Sequence, residues 1–196
     1  VKDLGGASII KGGKTVNIVG KEMNSFYGFK VVGIYQTAEE CQNDPIAVAN
    51  GLEPGDFKYE DVDHNGIIDG ADRQTLGSYI PNFTYGINLG FNYLGIDFSM
   101  FLQGVGHIDW YPNPEALPFW GPYSRPYASF IPADFVDKVW SEENPDSYFP
   151  RPRGYIAMKT NRTLGAVNDK YLQNIGYCRL KNLTVGYTLP EKWMKK

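Results

Sequence analysis

The 196-residue chain has 19 basic and 22 acidic residues and a formal charge of −3, a balance that argues against a broad electrostatic footprint for nucleic acid. Aromatic residues make up 15% of it, and 22 glycines with 13 prolines favour turns and irregular loops over long helices. No run of about eighteen apolar residues occurs, which excludes a transmembrane helix. Membrane strands stay open, because their lipid-facing and lumen-facing residues alternate and average to a mild hydropathy.

Residues 1–36 read as extended segments. "KTVNIVG" and "FYGFKVVGIYQ" are rich in Val, Ile, Tyr and Phe, with Gly20, Gly28 and Gly33 as breaks. The chain starts at Val1 without a signal peptide, as expected of an internal or processed piece. Residues 37–60 read as polar and turn-rich, with Asp44-Pro45 and the "EPGD" turn at Glu53–Asp56.

"DVDHNGIIDGAD" follows, from Asp61 to Asp72. A hard cation such as Ca²⁺ takes about six to eight oxygens, and a twelve-residue loop can supply them in one wrap. Asp61, Asp63 and Asn65 would offer side-chain oxygens, Ile67 a backbone carbonyl, and Asp69 a direct or water-mediated contact. Asp72 stands where a bidentate Glu is usual, Gly66 permits the sharp turn, and Ile68 would pack inward. His64 is at a non-ligand position. No amphipathic helix flanks the loop on either side, so the expectation is a structural Ca²⁺ rather than a sensor. The competing reading is an acidic Asx-rich turn satisfied by its own backbone bonds.

The next stretch, "PNFTYGINLGFNYLGIDFSMFLQGV", alternates with period two. Phe83, Tyr85, Ile87, Leu89 and Phe91 interleave with Thr84, Gly86, Asn88, Gly90 and Asn92, a pattern only a strand satisfies. After a short turn at Tyr93–Gly95, Ile96, Phe98, Met100 and Leu102 alternate with Asp97, Ser99, Phe101 and Gln103, Phe101 being the exception. The pair predicts a β-hairpin, either with one face on a soluble core or as two strands of a membrane barrel. Each strand is near the roughly 9–11 residues that cross a bilayer at a tilt, and aromatics sit near the strand ends.

Residues 104–175 lack strand periodicity and are crowded with Pro, Tyr and Trp. Connections this long are uncommon in compact domains and suit the extracellular side of a barrel. Trp110, Tyr111, Phe119, Trp120, Tyr123 and Tyr127 are candidates for stacking on substrate or gripping a partner, or for packing the loop against itself. "PADFVDKVW" (132–140) predicts one short helix with Phe135, Val136, Val139 and Trp140 on one face. Asp109, Glu115, Asp134, Glu142 and Glu143 read as solvated acids, since nothing pairs them as glycosidase chemistry requires. With only His64 and His107, no catalytic triad is suggested. Cys41 and Cys178 form no metal pattern; two unpaired, structural cysteines are expected, with a disulfide in an oxidising compartment as the alternative. Alternation returns at Leu183, Val185, Tyr187 and Leu189, until Pro190 and the polar "EKWMKK". With nothing after it, this third strand is expected not to close a sheet and to need a partner that this chain does not show.

Taken in order, "SFYGFKVVGIYQ", "PGDFKYEDVDHNGIIDGADRQTLGS", the hairpin, "VWSEENPDSYFPR" and "YCRLKNLTVGYTLP" resemble the C-terminal part of the SusC/RagA family, TonB-dependent transporters in the outer membrane of Bacteroidota. The resemblance implies an all-β fold: an antiparallel transmembrane β-barrel segment, part of a large plugged barrel of about 22 strands, with long extracellular loops and one short helix. In that reading 1–196 is a partial C-terminal barrel region, 61–72 a calcium-type loop within it and 104–175 a long extracellular loop; the plug domain and closing strand lie outside this chain. The resemblance also implies no enzymatic activity, but import of a glycan or peptide nutrient. The partners would be a SusD-like surface lipoprotein, outer-membrane lipid, and TonB through an N-terminal region not present here. The rivals are a soluble, secreted calcium-dependent binding or adhesion module, whose hairpin faces would be internal, and a soluble glycan-processing enzyme.

Overall fold

The computed structural model describes residues 1–113, 116–123, 131–159, 162 and 164–194. Two compact units result. Unit 1 joins Val1–Ser78 to Trp110–Gln173, and unit 2 joins Tyr79–Asp109 to Asn174–Lys196.

Unit 1 begins with strands β1 (Ile9–Gly12), β2 (Thr15–Ile18) and β3 (Ser25–Gly28), which form an antiparallel meander completed by β6 (Gln74–Ser78). A separate antiparallel pair is made by β4 (Val31–Ile34) and β5 (Phe57–Tyr59). These strands have three to five residues each, too few to cross a bilayer. The polar stretch expected over 37–60 instead holds two short helices, α1 (Ala38–Asn43) and α2 (Pro45–Asn50). Their start and stop signals are local. The Thr37 hydroxyl accepts from Glu40 N–H and the Asp44 carboxylate from Ile46 N–H, Pro45 opens α2, and Gly51 closes it in the left-handed region. A short helix does form within 132–140, as a 3₁₀ helix over Ala133–Lys138, but it buries Phe135 while Val136 faces solvent, so the expectation that the four apolar residues share one face is corrected.

The core of unit 1 draws on both of its chain segments. Phe26, Phe29, Phe57, Tyr59 and Ile68 come from the first, and Tyr111, Trp120, Tyr123, Phe149 and Tyr171 from the second. Trp120 meets Tyr171 edge-on at 5.0 Å, Tyr123 stacks on Phe149 at 5.3 Å, and Phe57 lies 5.8 Å from Tyr171. A further helical turn, α3 (Leu117–Trp120), delivers Trp120 to this cluster. Where the chain passes between the units, β9 (Asp109–Trp110) pairs with β10 (Gln173–Asn174).

Unit 2 is a three-stranded antiparallel sheet. Its strands β7 (Thr84–Tyr93), β8 (Ile96–Val105) and β11 (Tyr177–Tyr187) run in the order β11-β8-β7. The third strand therefore does have a partner within the chain: β8. A helical turn, α4 (Glu191–Met194), follows Pro190 where a polar turn was expected. The described residues are thus mainly antiparallel sheet with short helices; they form no closed barrel.

Candidate functional site: an acidic loop and a two-faced sheet

The acidic loop folds back on itself between β5 and β6. Carboxylate oxygens of Asp61, Asp63 and Asp72 lie within 4.8 Å of one another. Each such pair of charges repels by about 1 kcal/mol even in water, and by several times that where the dielectric is lower. Backbone donors offset part of this. Asp61 accepts from Asn65 N–H at 3.2 Å and Gly66 N–H at 2.8 Å, and these bonds, the Gly66 one foremost, hold its carboxyl below the usual range. Gly66 has φ +79°, a conformation that costs glycine little. Asp72 is fully buried, and its two oxygens accept from Val62 N–H and Asp69 N–H, both at 2.8 Å, so it ties the two halves of the loop together. Asn65 donates to Asp63 and accepts from Ile67 N–H, and Asp69 accepts from Ala71 N–H; neither belongs to the three-carboxylate cluster. Ile68 packs in the unit 1 core while Ile67 and His64 are exposed, with His64 at φ +58°. The donor set consists of hard oxygens and fits a cation of the Ca²⁺ class. The Asx bonds expected of the competing reading are also present.

In unit 2 the register gathers apolar side chains on one face and most of the polar ones on the other. Residues opposite one another share a face, and five ranks cross the sheet from β7 through β8 to β11: Tyr85–Gly104–Cys178, Ile87–Leu102–Leu180, Leu89–Met100–Leu183, Phe91–Phe98–Val185 and Tyr93–Ile96–Tyr187. The opposite face carries Thr84, Gly86, Asn88, Asn92, Asp97, Ser99, Gln103, Arg179, Asn182 and Thr184, together with the apolar Phe101, Val105 and Tyr177. On the apolar face Leu89, Leu183 and Val185 are exposed, Val185 by 68%. Ten residues at about 3.3 Å each, tilted by about 45°, span roughly 23 Å, close to the ~25 Å apolar band of membrane barrels.

Sequence periodicity missed one device. Leu180 and Leu183 are three apart and would fall on opposite faces of a regular strand. A register shift between Leu180 and Asn182 inserts Lys181 as an extra residue and returns both leucines to the apolar face. Phe101, the exception to the alternation, is explained by its neighbour across the strand. Its ring lies over Gly86 on the polar face, where an added Cβ would approach to 3.0 Å. Tyr85 lies similarly across Gly104 on the apolar face. Cys41 is buried in unit 1 and Cys178 exposed in unit 2, and both thiols are free.

The aromatic candidates separate. Tyr111, Trp120 and Tyr123 are buried in the unit 1 core, Trp120 to 1% exposure, where no ligand reaches their ring faces. Burial pushes the Tyr111 and Tyr123 phenols well up. Trp110 is exposed and Phe119 half-buried; Tyr127, like Glu115, lies outside the described residues. Among the acids, Asp134 pairs with Lys138 at 2.5 Å and Asp109 with His107 at 2.8 Å.

No protein-family model matches the chain. Over 179 residues it is 32% identical to TonB-dependent receptor P3 of Formosa agariphila, and over 198 residues 28% identical to TonB-dependent receptor P26 of the same bacterium. The chain is a relative of the TonB-dependent receptors. The matches cover 90% and 97% of this chain but 16% and 19% of the two receptors, so it spans less than a fifth of their length. TonB-dependent receptors are outer-membrane transporters rather than enzymes.

Proposed function

We propose that this chain supplies wall strands and an external portion of a TonB-dependent outer-membrane importer of the SusC/RagA kind. In this reading β7, β8 and β11 cross the bilayer, with the Leu89 face toward lipid and the Asn88 face toward a hydrated lumen. Ca²⁺ braces the 61–72 loop through Asp61, Asp63 and Asp72, with Asn65, Asp69 and the Ile67 carbonyl as further oxygens. A SusD-like lipoprotein closes over a glycan or peptide ligand, and TonB acts through a region outside this chain. Of the aromatic candidates among the described residues, Trp110 and Phe119 keep surface for ligand or lid.

The observation that carries the reading is the exposed apolar face, continuous over three strands of bilayer-crossing length. The test uses the full-length receptor. Leu89→Arg, at the middle rank, is expected to cost about 2–4 kcal/mol of stability in lipid, and Asn88→Arg, one residue away on the polar face, much less. Equal losses at both positions, measured by urea unfolding from vesicles, would count against a lipid-facing ribbon. For the ligand, Trp110→Ala and Phe119→Ala are each expected to weaken glycan or peptide binding; unchanged affinity in both variants removes these rings from the binding surface.

A further inference from the structure

Asparagine precedes glycine twice in the chain, at Asn50–Gly51 and at Asn65–Gly66. Such a pair can convert its own side-chain amide to an acid: the glycine nitrogen attacks the asparagine Cγ, an approach that the missing side chain leaves unhindered. The fold closes this route at the first pair. Asn50 ends α2, its Nδ2 donates to the Ile46 carbonyl at 2.9 Å, and Gly51 N–H donates to the Ala47 and Val48 carbonyls in the helix cap. Arg162 also donates to the Asn50 and Gly51 carbonyls, at 3.1 and 3.2 Å, and so clamps the backbone that would have to turn.

At the second pair the loop assists instead. Asn65 is exposed, and beyond the chain neighbours of Gly66 nothing lies within 4 Å of the position a Cβ there would take. Ile67 N–H donates to Asn65 Oδ1 at 2.7 Å. This oxygen takes up negative charge as the ring closes, and a donor already aimed at it favours the charged intermediate. The Asp61 carboxylate, which accepts from Gly66 N–H at 2.8 Å, draws that hydrogen away from the attacking nitrogen. Asn65 Nδ2 donates to Asp63 at 3.0 Å, which fixes the side chain across the turn. We propose that Asn65 deamidates itself in the folded protein. A bond forms from the Gly66 nitrogen to Asn65 Cγ and the nitrogen's proton passes to water. The Cγ–Nδ2 bond then breaks as Nδ2 takes a proton from water and leaves as ammonia. A further water opens the cyclic imide, at Cγ to give aspartate or at the backbone carbonyl to give isoaspartate. Nothing in this chemistry requires a cation. Its consequence rests on the calcium reading: the neutral oxygen of Asn65 is replaced by a fourth carboxylate beside Asp61, Asp63 and Asp72, which weakens the metal-free loop by repulsion and strengthens its hold on Ca²⁺.

The test follows the full-length receptor by peptide mapping with mass spectrometry after incubation in chelator at mildly alkaline pH, folded and in parallel unfolded in urea. Folded, Asn65 is expected to lose its amide at least as fast as in urea, while Asn50 loses its amide only in urea. Slower loss at Asn65 in the folded receptor than in urea, or equal loss at Asn65 and Asn50 when folded, overturns the proposal. The consequence is read separately, from the melting temperature of Asn65→Asp, the aspartate product, against the unsubstituted receptor. Asn65→Asp is expected to melt lower in chelator and to rise further with millimolar calcium. No rise in either protein refutes the calcium reading and leaves the deamidation standing; an equal rise in both refutes the strengthened hold on calcium alone.

Discussion

Asp72 and Asp63 belong to one cluster yet differ in what they hold. Asp72 is buried and receives backbone donors from both halves of the loop, so its loss opens the turn whether or not a cation binds. Asp63 is exposed and bonds only within the loop, to Asn65. Its chief contribution in the proposed reading is a ligand oxygen. Calcium at about 100 times its dissociation constant would stabilise the protein by about 2.7 kcal/mol. The expected outcome is a calcium-dependent rise in melting temperature that Asp63→Ala strongly reduces while the metal-free melting temperature hardly moves; Asp72→Ala lowers both. An identical melting curve with chelator and with millimolar calcium would leave the loop as an Asx turn alone. Spacing in the sequence singled out Asp61, Asp63 and Asp72, whose carboxylates lie within 4.8 Å of one another. It could not predict that one Asp69 oxygen accepts from Ala71 N–H, since that is decided by local turn geometry.

At the scale of elements, β11 depends on one inserted residue. Side-chain facing in a strand has period two, so a slip of one position reverses every residue beyond it. Deleting Lys181 is therefore expected to send Leu183, Val185 and Tyr187 to the polar face, or to move Leu180 and the residues before it instead. The measurement is labelling of a cysteine at Val185 with a lipid-soluble against a water-soluble reagent. An unchanged preference for the lipid-soluble reagent after the deletion, with unchanged labelling at Leu180→Cys, would show that the bulge does not set the facing. The hairpin was legible because five alternations leave one solution. The first part of β11 was not, because a bulge breaks the period that makes strands readable. The 37–50 helices were legible in principle: Thr37 with Glu40, Asp44 before Pro45, and Gly51 are start and stop signals, hidden by a segment too short for apolar periodicity.

Across the whole molecule, unit 1 is closed by segments that lie about a hundred residues apart in the chain. Beyond the shared aromatic core, Asp56 accepts from Arg153 at 2.6 Å and faces Arg162 at 3.5 Å, and Arg162 also donates to the Asn50 and Gly51 carbonyls. Asp56 is 4% exposed and Arg162 is buried too, so breaking the pair leaves a charge without compensation. Asp56→Ala is expected to cost about 3–5 kcal/mol in thermal unfolding. Glu53→Ala, which removes half-exposed ion pairs to Arg151 and Arg153, should cost about 0–1 kcal/mol. Comparable costs for the two would mean that Asp56 does not lock the segments together.

The sequence by itself determined the acidic cluster, the hairpin and the greasy and polar sides of its strands, because each follows from short-range spacing: a twelve-residue loop or a period of two. Only the tertiary structure decided that Tyr111, Trp120 and Tyr123 are core rather than binding surface, that β8 is the partner of β11, and that Asp56 joins Arg153 and Arg162. Those outcomes depend on which distant segments close on one another, and burial of an aromatic ring or a carboxylate is a property of that closure, not of its neighbours along the chain.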